Sequence, residues 1–325
     1  MEVRLPWACS FAWKSLLDGV RFSDEGLEEN ILDLSDQVRE MIPDRIENKI
    51  NSFSKDVEAN ALVIRNCPVD SMLPPTPRSG RISSCRIPVG CLVNLILYRL
   101  FDIEPIVYQG ENGGNVFRHV VPARNKESFL SSHGSHMDFG YHVDNPDLPL
   151  MSEPIGELSA CPEFLSLFGM RCDSSVRTTL VEIDRALDCL PQEIVHSLER
   201  PEFTVRRPQS FGMAKKTPGL PLIAKDRSNQ WLCRFDAENI EAESVDGARA
   251  IDALCAALSR KEIQNDILLL PGDFLIFKNQ RVVHARNSFS PKRDGADRWL
   301  IRLFGVESLA RVLMVSSENS FEVVA

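Results

Sequence analysis

The sequence predicts a mainly β protein with helical additions: a β-sandwich or barrel core preceded by a helical N-terminal part. Three observations carry this. Residues 24–57 repeat apolar side chains at spacings of three and four (Leu27, Ile31, Leu34, Val38, Ile42), the period of an amphipathic helix. From Pro105 onward, short apolar runs alternate with Gly, Pro, Asn and Asp, as strands separated by turns do. One helical stretch, residues 247–260, interrupts the β pattern with Ile251, Leu254, Cys255 and Leu258 on one face.

In chain order, Ser23 and Asp24 are N-cap types at the head of the helical region, and Pro43 divides that region into two helices. Residues 61–66 read as a buried strand. Pro68 and the Pro74-Pro75-Thr76-Pro77 run make an extended loop. Residues 89–101 are apolar enough for a buried helix. Strands are expected within residues 106–108, 116–121, 178–181, 268–277 and 299–304, and a short helix over 192–198. No internal repeat is visible. The organisation is one domain over residues 1–325, with a helical part over about 1–60 and a β core with inserted helices over about 61–310.

A chain of 325 residues, 43% hydrophobic, can bury a sizeable core. Its net charge of −9, with no Lys/Arg block, argues against nucleic acid, which needs a positive surface. Nine scattered cysteines, none in a C-x-x-C pair, read as reduced thiols rather than as a disulfide framework or zinc site. The start, Met1-Glu2-Val3-Arg4, lacks the pattern of a signal peptide, and no apolar run approaches the ~20 residues that span a bilayer. The expected setting is the cytoplasm, away from membranes.

Residues 136–144 contain H-x-D twice, as His136-Met137-Asp138 and His142-Val143-Asp144. On an extended strand, residues i and i+2 face the same way, so H-x-D can put an imidazole and a carboxylate on one ion. Two histidines and a carboxylate make the facial triad that suits Fe(II) and leaves positions open. Spacing alone does not choose between the two copies. His284 is a candidate third ligand, although a histidine after a buried strand is also what a hydrogen-bonded core residue looks like.

The segment after His284 adds weight. Turn formers lead into Arg298-Trp299-Leu300-Ile301-Arg302-Leu303-Phe304. Arginines in an apolar strand are costly to bury without an anion. Arg298 and Arg302 share a strand face, with roughly 13 Å between their Cα atoms. Guanidinium groups suit bidentate capture of carboxylates, so the pair points to two carboxylates bound near each other. The bland alternative is two solvated arginines on an exposed face. His119, His133 and His196 read as structural, loop and exposed residues, and Gly113-Gly114 as a turn, since no Lys-Ser/Thr follows.

In order and spacing these segments form a specific combination: the stretch from Gly113-Gly114 to Pro122, Tyr141-His142-Val143-Asp144, Thr178-Thr179-Leu180-Val181, Pro271-Gly272-Asp273, Asn279 through His284, and Asp297 through Arg302. Over residues 62–306 the chain resembles the clavaminate synthase-like branch of the taurine dioxygenase superfamily, close to the asparagine, arginine and lysine hydroxylases of antibiotic biosynthesis. The resemblance implies a double-stranded β-helix (jelly roll) core and an Fe(II) enzyme that consumes 2-oxoglutarate and O2. The family's aromatic residue before H-x-E/D selects His142 and Asp144, after Tyr141, over His136 and Asp138. With His284 these would hold the metal. Arg298, fourteen residues after His284, would take the far carboxylate of 2-oxoglutarate, together with Thr179. Arg302 would grip the substrate carboxylate, with Ser132 and Gln109 as further substrate contacts. Asp236, in Arg234-Phe235-Asp236, either approaches the substrate or braces a strand with Arg234.

The implied reaction is hydroxylation of an unactivated C–H in a small amino-acid-like substrate, free or tethered to a carrier, in specialised metabolism. Asp144 is shorter than the glutamate usual among near relatives, but it is a carboxylate. Halogenases of this kind put a small residue there, so Asp144 argues for hydroxylation. A desaturase or cyclase on the same iron centre is the alternative within the class. A metal-free, cupin-like binding protein is the alternative outside it, and burying five such polar groups together argues against it.

Overall fold

The computed structural model describes residues 1–20, 31–123, 135, 138–211, 214–315 and 321–325. Two sheets form the centre. The larger has eight strands in the order Glu2–Arg4, Ala61–Arg65, Phe274–Lys278, Phe164–Arg171, Trp299–Val306, Glu104–Tyr108 and Glu322–Val323, with Arg118–Val120 also pairing Trp299–Val306. The smaller has four, in the order Asn265–Ile267, Thr178–Glu182, Val282–Arg286 and Phe139–His142. Pairing is antiparallel except where Glu2–Arg4 meets Ala61–Arg65 and Glu322–Val323 meets Glu104–Tyr108.

Strand alternation divides the core into three layers. In Trp299–Val306, the side chains of Trp299, Ile301 and Leu303 join the helices Ile31–Met41, Asp44–Phe53 and Pro88–Leu100 on the outer face of the large sheet. Leu300 and Phe304 turn inward and pack with Leu165, Leu167, Leu275 and Phe277, and with Leu180 and Val282 from the small sheet. Val181 and Val283 point out of the small sheet into a third cluster with the helix Val245–Leu258. The site lies where polar side chains replace apolar ones in the inner layer.

Pro43 stands between two N-terminal helices as its fixed φ dictates, with φ −61° at the N-cap of Asp44–Phe53. The N-terminal part is not only helical, because Glu2–Arg4 adds a parallel strand at the sheet edge. The helix Trp7–Leu17 was not expected. It buries Cys9, Trp13 and Leu17 but exposes Trp7 and Phe11, so apolar residues on both faces blur its period. Residues 268–277 are a strand only from Phe274. Gly272 takes φ +81° and its N–H bonds Gly169 O, which makes a turn ahead of the strand. Among the described residues, no helix is long and apolar enough to cross a membrane.

Candidate active site

His142 and His284 are directly opposed across adjacent strands of the small sheet, which sets their rings side by side at 4.1 Å between centroids. Asp144 lies two residues beyond His142, just past the strand end, and its Oδ2 is 3.8 Å from His284 Nε2. One ligand atom from each of the three residues falls within 4.8 Å of the others. Among the described residues no other group of three His, Cys, Asp or Glu gathers in this way. His142 Nδ1–H donates to Gly140 O at 2.7 Å, which fixes the orientation of the ring. His284 is buried. Burial, with His142 beside it, pushes its imidazole down to about 3, so it stays neutral, as a ligand must.

Asp144 is negative in this setting. Burial pushes its carboxyl up, but Arg302, His284, His142 and Arg118 outweigh that and hold it below the ordinary carboxylate range. Arg302 Nη1 bonds Asp144 Oδ1 at 3.3 Å and Nη2 bonds Glu111 Oε1 at 2.6 Å. Two atoms of that cluster, Glu111 Oε2 and Arg302 Nε, are buried without a hydrogen-bond partner among the described residues. Arg302 also stands opposite Arg118 across neighbouring strands. Like charges so placed repel, and an anion between them would relieve it.

Two cavities meet at the triad. One of about 50 Å³ reaches inward past Thr178 and His284 to Arg286 and Arg298. Arg298 is 7% exposed and has no hydrogen-bond or ion-pair partner among the described residues. Burial, with Arg286 nearby, pushes its guanidinium down to about 9, the mark of a cation lacking an anion. The other cavity, of about 410 Å³, is lined by Arg118, Asp236 and Glu238. Phe139, His142, Asp144 and Arg302 face both.

The structure therefore brings His142, Asp144, His284, Arg298, Arg302 and Asp236 to one place. Asp236 is buried and forms an isolated β-bridge with His142. It accepts from Glu238 N–H and Asn239 Nδ2, whereas Arg234 turns away to the carbonyls of Pro146 and Leu148. The Arg234–Asp236 brace is not formed.

Two expected contacts are displaced. Thr179 points out of the small sheet, where its hydroxyl bonds Asp266 Oδ1 at 2.5 Å. One residue along a strand reverses the face, so Thr178, not Thr179, reaches the inner cavity. Gln109 is exposed and lines neither cavity. A turn closed by Glu111 N–H on Tyr108 O, with Gly110 at φ +83°, sends Gln109 outward and Glu111 inward. A carboxylate within a glycine-rich turn was the available signal for Glu111. Ser132, His133 and His136 lie outside the described residues. Asp138, from the second H-x-D, accepts Ser288 N–H at 2.6 Å in an exposed position.

Residues 192–304 match the family described as taurine catabolism dioxygenase TauD, TfdA family. The chain is 30% identical over 280 residues to L-asparagine oxygenase of Streptomyces coelicolor, covering 83% of this chain and 78% of that protein. It is 25% identical over 282 residues to L-lysine 3-hydroxylase of Catenulispora acidiphila, covering 83% and 74%. Its fold superposes with a TM-score of 0.84 and 26% identity on an asparagine oxygenase crystallised with Fe(II), 3-hydroxyasparagine and succinate, over 100% of this chain and 99% of that one.

Proposed function

The chain belongs to the TauD/TfdA family of Fe(II)- and 2-oxoglutarate-dependent oxygenases, and we propose that it hydroxylates a free L-amino acid bound in the larger cavity against Arg302. The observation that carries this reading is the pair of cavities joined at Asp144, with buried Arg298 at the inner one and buried Arg302 where the two meet. His142, Asp144 and His284 would hold the iron. Two neutral imidazoles and one carboxylate leave it a net positive charge and open positions. Fe(II) with 2-oxoglutarate and O2 supplies the oxidising power, yielding succinate, CO2 and one oxidised C–H.

The protein's own part is binding and orientation. Arg298 offers the inner cavity a cation, unpaired among the described residues, for the far carboxylate of 2-oxoglutarate, and the Thr178 hydroxyl lies along the same path. On the other side, Arg302 faces the larger cavity and offers its guanidinium to the substrate carboxylate, with Glu111 bonded to it from behind. Asp236, beside His142, faces the rest of the substrate. A carrier-bound thioester has no carboxylate for Arg302, so this arrangement supports a free amino acid.

The two sheets support a double-stranded β-helix, with the whole chain as one oxygenase domain. Nine cysteines, none of them in a disulfide, support a reducing setting such as the cytoplasm. The resemblance to amino-acid hydroxylases supports a role in specialised metabolism. The test is a panel of L-amino acids with Fe(II), 2-oxoglutarate and O2, read by succinate formation and product mass. Hydroxylation adds one oxygen to one member of the panel, whereas a desaturase or cyclase removes two hydrogens. Succinate formation that no amino acid stimulates would overturn the proposal.

A further inference from the structure

Asn279 is fully buried in the turn between Phe274–Lys278 and Val282–Arg286, the strand that carries His284. Its side-chain amide faces the main chain of Asp144. Oδ1 accepts Asp144 N–H at 3.0 Å, and Nδ2 donates to Asp144 O at 3.0 Å and to Pro162 O at 3.0 Å. One side chain thus satisfies both backbone groups of a single distant residue. Asp144 needs such support, because it lies beyond the end of Phe139–His142. Its neighbours leave the sheet: Val143 N–H goes to Phe235 O, and Asn145 takes φ +57°. The thiol of Cys161 adds one weaker donor to Asp144 O at 3.4 Å.

We propose that Asn279 is a positioning residue for the metal site, holding the Asp144 backbone so that its carboxylate meets His284 at one point. The inference rests on Asp144 being a metal ligand. Asn279 does not face the ion; it ties the turn leading to the His284 strand onto the segment that carries Asp144. A loop carboxylate without that tie must be ordered by the metal itself, at the expense of affinity. Outer partners of metal ligands typically contribute about 10- to 100-fold in affinity.

The experiment is an anaerobic Co(II) titration of the metal-free full chain, followed by visible absorption, with thermal unfolding of the same samples. Asn279→Ala should weaken Co(II) binding about 10- to 100-fold. Asn279→Ser, which keeps at most one of the two bonds to Asp144, should fall between Asn279→Ala and wild type. At saturating Fe(II), turnover should recover most of its wild-type kcat. A lowered unfolding midpoint with unchanged Co(II) affinity would make Asn279 a purely structural residue and overturn the proposal. Asp144→Ala in the same titration separates the two assignments. If Asp144→Ala also leaves affinity unchanged, the triad assignment has failed; if it alone weakens binding, only the role of Asn279 has failed. Should neither Asn279 variant fold, hydrogen exchange at the Asp144 amide of metal-free wild type decides. Protected exchange supports the tie, and exchange at the rate of an open loop overturns it.

Discussion

At the scale of single residues, the two inward arginines, Arg298 just before the strand Trp299–Val306 and Arg302 within it, differ in their neighbours, and so should differ in their kinetics. Arg298 has no partner among the described residues, whereas Arg302 is bonded to Glu111 and Asp144. Arg298→Ala should raise the 2-oxoglutarate requirement with every amino acid tested. A lost charge-assisted hydrogen bond in a dry pocket costs about 1.5–3 kcal/mol, roughly ten- to a hundredfold in affinity. Arg302→Ala should raise the requirement for the amino acid and leave uncoupled succinate formation comparatively intact. Lysine should rescue neither fully, since an ammonium cannot reproduce the fork. Identical defects in steady-state assays varying each substrate separately would contradict the division of roles. Both arginines were legible in the sequence, because burying a cation in an apolar strand calls for a partner. Glu111 and Thr178 were not. Each sits one or two positions from the residue expected, and only the turn at Gly110 and the register of Thr178–Glu182 decide which side chain faces in.

At the scale of elements, the strands of the site are held in register by close backbone contacts that leave no room for a side chain. Gly169, in Phe164–Arg171, donates to Asp273 O and accepts from Gly272 N–H, so the turn before Phe274–Lys278 lies directly on it. A Cβ added there would come within 2.2 Å of the Leu270 carbonyl oxygen, a backbone atom that cannot swing aside. Gly169→Ala should therefore cost on the order of 1–3 kcal/mol of stability in denaturant unfolding. An unchanged midpoint would mean that the turn moves freely. The helices Ile31–Met41 and Val245–Leu258 were readable from their periodicity, and Pro88–Leu100 from its apolar content. The strands Phe203–Arg206, Lys216–Leu220 and Ile240–Ala242 were not. They form a separate three-stranded sheet of short, half-exposed pieces, in which alternation has too few residues to register.

At the scale of the whole molecule, function follows from two sheets that meet around polar side chains. The small sheet brings both histidines into one cross-strand pair, and the large sheet delivers Arg302 from the strand Trp299–Val306 and Arg298 from the residue just before it. The β class and the outline of the triad were legible because inward positions recur every second residue. The two cavities were not, because they depend on how the sheets face each other. The most direct measurement of the central claim is an anaerobic titration of wild-type protein with Fe(II) and then 2-oxoglutarate, followed by visible absorption. The account predicts one Fe(II) per chain and a charge-transfer band that needs both additions and disappears in His284→Ala. A band that persists in that variant, or none in wild type, would contradict it.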